Sequence, residues 1–201
     1  MHVLKNLKFN GGIQVSIQVD QVLDAKGLAC PMPIVKTRKA VGELEPGQVL
    51  EVLATDRGSI ADLQAWAKSS GHQYIGTKEE GDVLKHYLRK ATEKEEKGEI
   101  QYPHVIDNEE LMTKVNESTI LDVREPAEFE FGHIPSSVSI PFGELSERLI
   151  ELNKADEIIV ICRTGNRSDY ACKQLADAGF TNVKNAVQGM VEWSGPIEQS
   201  E

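Results

Sequence analysis

Residues 158–167 read Ile158-Ile159-Val160-Ile161-Cys162-Arg163-Thr164-Gly165-Asn166-Arg167. Four consecutive β-branched residues predict a buried strand, because successive side chains point to opposite faces and both faces here are apolar. The apolar run stops at Cys162, a loop with Gly165 and two arginines follows, and a helical pattern starts at Ser168. A thiol between a strand end and a helix start meets the unpaired N–H groups of the loop and first helical turn. Arg163 and Arg167 add full charges. Such a setting favours the thiolate, the reactive form of cysteine, and fits an inert core cysteine poorly.

Outward from this stretch, Asp107-x-x-Glu110 signals a helix start, with Leu111, Met112 and Val115 as its inward face. Thr119 to Val123 is a strand, broken by Arg124-Glu125-Pro126, and a short helix runs to Phe131. After the turn at Gly132-His133-Ile134-Pro135 come a strand at 138–140 and a helix at 144–152 with Leu145, Leu149 and Leu152 inward. Beyond Cys162, the helix from Ser168 to Ala178 is closed by Gly179, and Asn182 to Lys184 is a last strand. Short apolar strands alternating with helices predict a mostly parallel sheet covered on both faces. Catalytic groups of such folds lie beyond the C-terminal strand ends, where Cys162 and the segment Asp122 to Glu125 fall. Asp122 and Arg124 are expected to pair and shape the loop, and His133 and Cys172 to be structural. Trp193 is expected to close the core near the C-terminus.

The first half reads differently. Residues 1–19 alternate in two short stretches around Asn10-Gly11-Gly12, which predicts an accessory hairpin. A strand at Gln21–Asp24 precedes Cys30-Pro31-Met32-Pro33, where two prolines mark the first turn of a helix running to Val41. Cys30 then sits at a helix start, where the dipole is expected to lower its pKa. A strand at Val49–Ala54, a helix at 60–70 opened by Ser59 with Asp62 as a capping-box variant, and strands at 72–77 and 83–88 complete the unit. Asp56 reads as a local turn or capping residue. Helices on one side of a small sheet give an α+β two-layer sandwich over residues 20–90. Residues 91–102 are mixed charge and read as a linker to a second domain at 103–201.

The totals bound the function. With Lys+Arg 22 against Asp+Glu 32, the chain of 201 residues carries a net charge of -10, which opposes nucleic acid and anionic membrane surfaces. No apolar run approaches the ~18 residues needed to span a bilayer, and the N-terminus lacks a signal-peptide core. A cytoplasmic location is expected. Three cysteines without a Cys-x-x-Cys pair, and five scattered histidines, give neither a disulfide scaffold nor a metal site. Thiol chemistry is the remaining use.

Two families share these motifs. Leu121-Asp122-Val123-Arg124-Glu125, Glu128-Phe129, Gly132-His133-Ile134-Pro135, Cys162 to Ser168, and Gly189-Met190 with Trp193 resemble a rhodanese domain. Leu23-Asp24, Gly27-Leu28, Cys30-Pro31-x-Pro33 and Pro46-Gly47 resemble the TusA-like (SirA-like) sulfur carriers. The resemblance implies sulfurtransferase chemistry: a persulfide on Cys162 held by Arg163, Thr164, Gly165, Asn166, Arg167 and Ser168, and a second persulfide on Cys30. No cofactor is implied beyond these covalent intermediates. Pro135-Ser136-Ser137 with Ser139, and Gln188-Gly189, depart from the usual rhodanese pattern and imply an altered pocket lining. Tyrosine phosphatases place five residues between their loop cysteine and arginine; here four separate Cys162 from Arg167, and the tighter loop suits sulfur better than phosphate.

The expected reaction takes sulfane sulfur from a small donor such as thiosulfate, or from a protein, to a thiol acceptor. Cys30 is the obvious acceptor, since tethering raises its effective concentration to about the millimolar range. The direction between Cys30 and Cys162 stays open at this point. The alternatives are a non-catalytic persulfide carrier or sensor, and a phosphatase or arsenate reductase.

Overall fold

Each half of the chain builds its own sheet. The structure, a computed structural model, describes residues 17–92 and 100–199, so most of the expected N-terminal hairpin and of the charged linker lies outside the described residues. The first half runs β1 (Gln21–Asp24), α1 (Met32–Glu43), β2 (Val49–Ala54), α2 (Ser59–Ser69), β3 (Gln73–Glu80) and β4 (Val83–Arg89). Its sheet has the order β1-β2-β4-β3, with β1 parallel to β2 and the other pairs antiparallel.

Alternation along the strands divides this sheet. Leu50 and Val52 of β2 and Leu88 of β4 pack with Val41, Leu63 and Ala67 of the two helices. Val49 and Tyr87 point the other way and join Ile17 and Ala127. The two-layer sandwich is therefore as expected, but its second face is not left to solvent: the second half of the chain covers it. Phe131 packs edge-on against Tyr87, with ring centroids 5.4 Å apart. It also lies over Gly76, where any Cβ would fall 2.3 Å from the Phe131 ring. Only glycine permits that approach.

The expected capping role of Ser59 is corrected. Gly58 is the N-cap of α2, while the Ser59 hydroxyl donates to the Asp56 carbonyl at 2.5 Å and meets His86 Nε2 at 2.9 Å. His86 is buried on the helix side of β4, and its need for a partner draws the serine inward.

The second half runs β5 (Val105–Ile106), α3 (Asn108–Lys114), β6 (Thr119–Asp122), α4 (Pro126–Glu130), β7 (Val138–Ser139), α5 (Leu145–Arg148), β8 (Ile158–Ile161), α6 (Asn166–Asp177) and β9 (Val183–Ala186). All pairs in the order β5-β9-β8-β6-β7 are parallel. Ile158 and Val160 face Leu145, Ala171 and Leu175 on one side. Ile159 and Ile161 face Leu111 and Ile134 on the other. This two-sided burial is why β8 reads as an unbroken apolar run.

Several boundaries differ from the sequence reading. The helix expected at 144–152 is only α5, flanked by 3-10 turns at Phe142–Glu144 and Leu149–Glu151, although Leu145 and Leu152 point inward. α6 starts at Asn166 and not at Ser168, because Gly165 takes a positive φ of 91° as its N-cap. β5 is a two-residue edge strand, too short to leave a periodic signal. Among the described residues, no helix is long and apolar enough to cross a membrane.

Candidate active site

Cys162 occupies the gap between the end of β8 and the start of α6. Its Sγ accepts from the Gly165 N–H at 3.2 Å, and the Ser168 hydroxyl lies 3.4 Å from it. The loop is clamped from behind. Asn185, wholly buried on β9, accepts from the Ser168 hydroxyl at 2.6 Å and donates to the Gly165 carbonyl at 3.2 Å. A Cβ on Gly165 would lie 2.3 Å from the Val187 carbonyl oxygen, and one on Gly189 would lie 2.5 Å from that of Arg163. The loop thus closes against the segment after β9 at two points where only glycine fits. Donors converging on a sulfur at a helix N-terminus suit negative charge on that sulfur. Cys162 is only 1% exposed, so the sulfur sits at the bottom of the loop.

The loop residues divide by direction. Arg163 is exposed, Thr164 half-buried, and Gly165, Asn166 and Ser168 are buried. Arg167, expected beside the sulfur, is placed elsewhere. Its Nη1 and Nη2 donate to the two Glu128 carboxylate oxygens at 2.8 and 2.9 Å. Glu128 also accepts from Gln73 Nε2 at 3.1 Å and lies 3.8 Å from Arg89 Nε, both from the first half of the chain. Burial pushes the Glu128 carboxyl up, but Arg167, with Arg89 and Arg124 behind it, outweighs burial and holds it at about 2. A buried carboxylate needs such partners, and that need captures the guanidinium. The adjacent Glu125 is pushed up to about 7, chiefly by burial and against the pull of Arg167 and Arg89.

Asp122 and Arg124 pair as expected. Arg124 Nε donates to Asp122 Oδ1 and Oδ2 at 3.0 Å each, Nη2 donates to Oδ2 at 2.6 Å, and Nη2 also reaches the Gly132 carbonyl at 2.8 Å. The Val123 N–H donates to the Ile161 carbonyl beside it, so the pair braces the strand end that carries Cys162. His133 stacks on Phe129 at 3.7 Å, and its Nδ1 meets the Phe129 carbonyl at 2.9 Å. Cys172 is buried, and burial pushes its thiol up.

Cys30 stands just before α1 and is exposed. The expected lowering of its thiol is overturned. Desolvation, then the carboxylates of Asp62 and Asp56, push the thiol above its ordinary value. Two nearby negative charges oppose the helix dipole.

The two cysteines are not brought together. The Ala25 N–H donates to Leu53 O and the Gly27 N–H to Thr55 Oγ1, which puts the Cys30 turn at the C-terminal ends of β1 and β2. Arg89, where Glu128 and Arg167 meet the first half, pairs with Val49 at the opposite end of β2. At about 3.3 Å per residue, the length of β2 separates the two ends by roughly 17 Å.

Asn185 and Arg89 were not singled out in the sequence, and Glu125 and Glu128 stood there only as motif residues without a role. Glu125-Pro126-x-Glu128 does carry a signal, since both carboxylates complete a capping box on α4. Asn185 carries none, being one polar residue inside a short strand. Among the described residues, no cluster of three or more His, Cys, Asp or Glu side chains is arranged to hold a metal ion.

The comparisons with known proteins agree with this two-part layout. The family model described as Sulfurtransferase TusA matches residues 21–90, and that of the Rhodanese-like domain matches 107–196. A relative from Bacillus subtilis (strain 168), named "Putative sulfur carrier protein YrkF", is 51% identical over 180 residues, covering 88% of this chain and 97% of the relative. "Sulfur carrier protein TusA" of Allochromatium vinosum is 44% identical over 72 residues, 36% of this chain and 95% of that protein. Among solved structures, a rhodanese-related protein from Thermoplasma volcanium is 34% identical, with a TM-score of 0.46 over 48% of this chain and 99% of that one. With one family model on each half and a relative matched over nearly its whole length, the chain belongs to the family that joins a TusA sulfur-carrier domain to a rhodanese-like domain.

Proposed function

We propose that this protein is a sulfurtransferase in which Cys162 takes sulfane sulfur from a donor such as thiosulfate and passes it to a thiol acceptor, Cys30 among them. The observation that carries the reading is the Cys162 Sγ at the N-terminus of α6, accepting from the Gly165 N–H, with the Ser168 hydroxyl 3.4 Å away. The Cys162 thiolate attacks the outer sulfur of thiosulfate, the S–S bond of the donor breaks, and sulfite leaves with the electron pair. The resulting persulfide anion keeps its charge within reach of the loop donors. Exposed Arg163 draws the anionic donor to the loop mouth. A thiolate then takes the outer sulfur and returns Cys162 to its starting state.

The phosphatase and arsenate reductase readings lose further ground. A phosphate cradled by this loop would need the Arg167 guanidinium, which Glu128 holds. The carrier or sensor reading has one observation in its favour, the near-complete burial of Cys162. Steady-state turnover separates the readings. Thiosulfate with cyanide or a small thiol as acceptor gives sulfite release that Cys162→Ser abolishes, and an aryl phosphate gives none. Absence of sulfur transfer with every acceptor would leave the carrier reading standing.

A further inference from the structure

The cysteine of the first domain faces away from the second. α1 and α2 lie on one face of the first sheet and the second domain on the other. Cys30 sits at one end of β2, and the Arg89 contact to the Cys162 loop at the other. Sulfur therefore cannot pass directly between the two cysteines of one chain in this arrangement.

The surroundings of the two cysteines complement each other. Beside Cys30 stand the carboxylates of Asp56 and Asp62, close enough to act on the thiol. Two of the nearby cations are engaged, Lys26 with Asp24 and Arg57 with Glu79. Met32 and Val35, two residues and five residues beyond Cys30, are 44% and 52% exposed. At the other site Arg163 projects from the Cys162 loop into solvent, with no side-chain hydrogen bond or ion pair among the described residues. Exposed Val191, whose N–H donates to the Arg163 carbonyl at 3.0 Å, supplies apolar surface. An acidic site with an apolar margin thus matches a cationic site with an apolar margin.

We propose that Cys30 receives its sulfur from Cys162 of a second copy of this chain, with Asp56 and Asp62 docking against Arg163 of that copy. The proposal rests on the Cys162 persulfide reading. The step is balanced without an oxidant or reductant. A bond forms between Cys30 Sγ and the outer sulfur of the Cys162 persulfide anion, and the Cys162 S–S bond breaks. Its electron pair stays on Cys162 Sγ as thiolate, and the Cys30 proton ends on the transferred sulfur. Docking also offsets the charges that hold the Cys30 thiol protonated, so its nucleophilic form is favoured when the Arg163 loop is in place.

The test uses full-length chains. Cys30→Ser is loaded with thiosulfate, desalted and mixed with unloaded Cys162→Ser, and intact masses are followed with time. The expected result is loss of one sulfur, about 32 Da, from the first and gain on Cys30 of the second, at a rate proportional to both concentrations. An acceptor carrying Asp62→Lys, or a donor carrying Arg163→Glu, slows transfer about tenfold, and combining the two charge reversals restores it. Loading of the donor without transfer to the acceptor, while wild-type Cys30 loads at a concentration-independent rate, would overturn the proposal in favour of transfer within one chain. Failure of the donor to load at all would instead overturn the persulfide reading of Cys162, and this proposal with it. Circular dichroism on each charge variant checks that a slowed rate is not lost fold, and restoration in the double reversal confirms the pairing.

Discussion

Cys162 and Cys30 both stand at the start of a helix, and they differ in nearly everything else. Cys162 is buried, with an N–H donating to its sulfur and a hydroxyl beside it. Cys30 is exposed and looks at two carboxylates that push its thiol up. Position at a helix N-terminus is therefore a weak guide to thiol reactivity by itself. Nearby full charges and directed donors decide it, because a carboxylate within a few ångströms opposes the half-charge of the dipole. The contrast suits a division of labour: an enclosed sulfur that forms the persulfide, and an open one held as thiol until a partner arrives.

The largest effect is expected from removing the enclosed sulfur. Cys162→Ser lowers sulfite release from thiosulfate by roughly 10³-fold or more, measured under steady-state conditions. Retained turnover would erase the distinction between the two sites. Next comes Glu128→Gln, which leaves two arginines facing a neutral amide in a buried position. It costs about 3 kcal/mol of stability, read from the urea midpoint. An unchanged midpoint would mean that the charge hub does not join the two halves.

A smaller change sharpens the Cys30 side. Asp62→Asn removes the nearer of the two charges, so the thiol pKa falls and alkylation of Cys30 at neutral pH speeds up severalfold in a Cys162→Ser background. An unchanged rate would mean that Asp62 does not hold that thiol up.

The pH dependence of stability is the smallest expected effect. Glu125 holds its proton up to about 7 in the folded protein, against 4.5 ordinarily. Arg167, Arg89, Glu128 and Asp20 all face it; burial outweighs the pull of the two arginines, and the two carboxylates add to the rise. Its contribution is present below pH 4.5 and is lost as pH rises through 7. His86 is held down to about 4 by burial, against 6.5 ordinarily, so the native state loses stability as pH falls from 6.5 towards 4. The two trends oppose each other between pH 4.5 and 6.5. Glu125→Gln should leave only the loss on the acid side, visible as a urea midpoint that no longer declines from pH 6 to 8.

Much of this was legible in the chain because the signals were local. The β8 run, Gly165 and the serine of the loop lie within eleven consecutive residues, and two prolines mark the start of α1. Asp122 and Arg124 are two apart on one strand end, so their pairing could be read directly. What the sequence did not reveal depends on contacts between distant segments. The direction of Arg167 is set by Glu128, a residue 39 positions away in the chain. The clamp by Asn185 comes from a neighbouring parallel strand. The charge beside Cys30 comes from Asp56 and Asp62, in the turn after β2 and the first turn of α2. The cover on the first sheet depends on Phe131 finding Gly76, and a lone glycine in a strand pattern announces a close approach without saying to what.

The central claim is that sulfur enters at Cys162 and reaches Cys30 only afterwards. Intact-mass measurement after thiosulfate treatment of wild type, Cys30→Ser and Cys162→Ser tests it most directly. The account predicts an added sulfur, about 32 Da, on both cysteines of the wild type, on Cys162 alone in Cys30→Ser, and none on Cys30 in Cys162→Ser. Loading of Cys30 in Cys162→Ser as fully as in the wild type would contradict it.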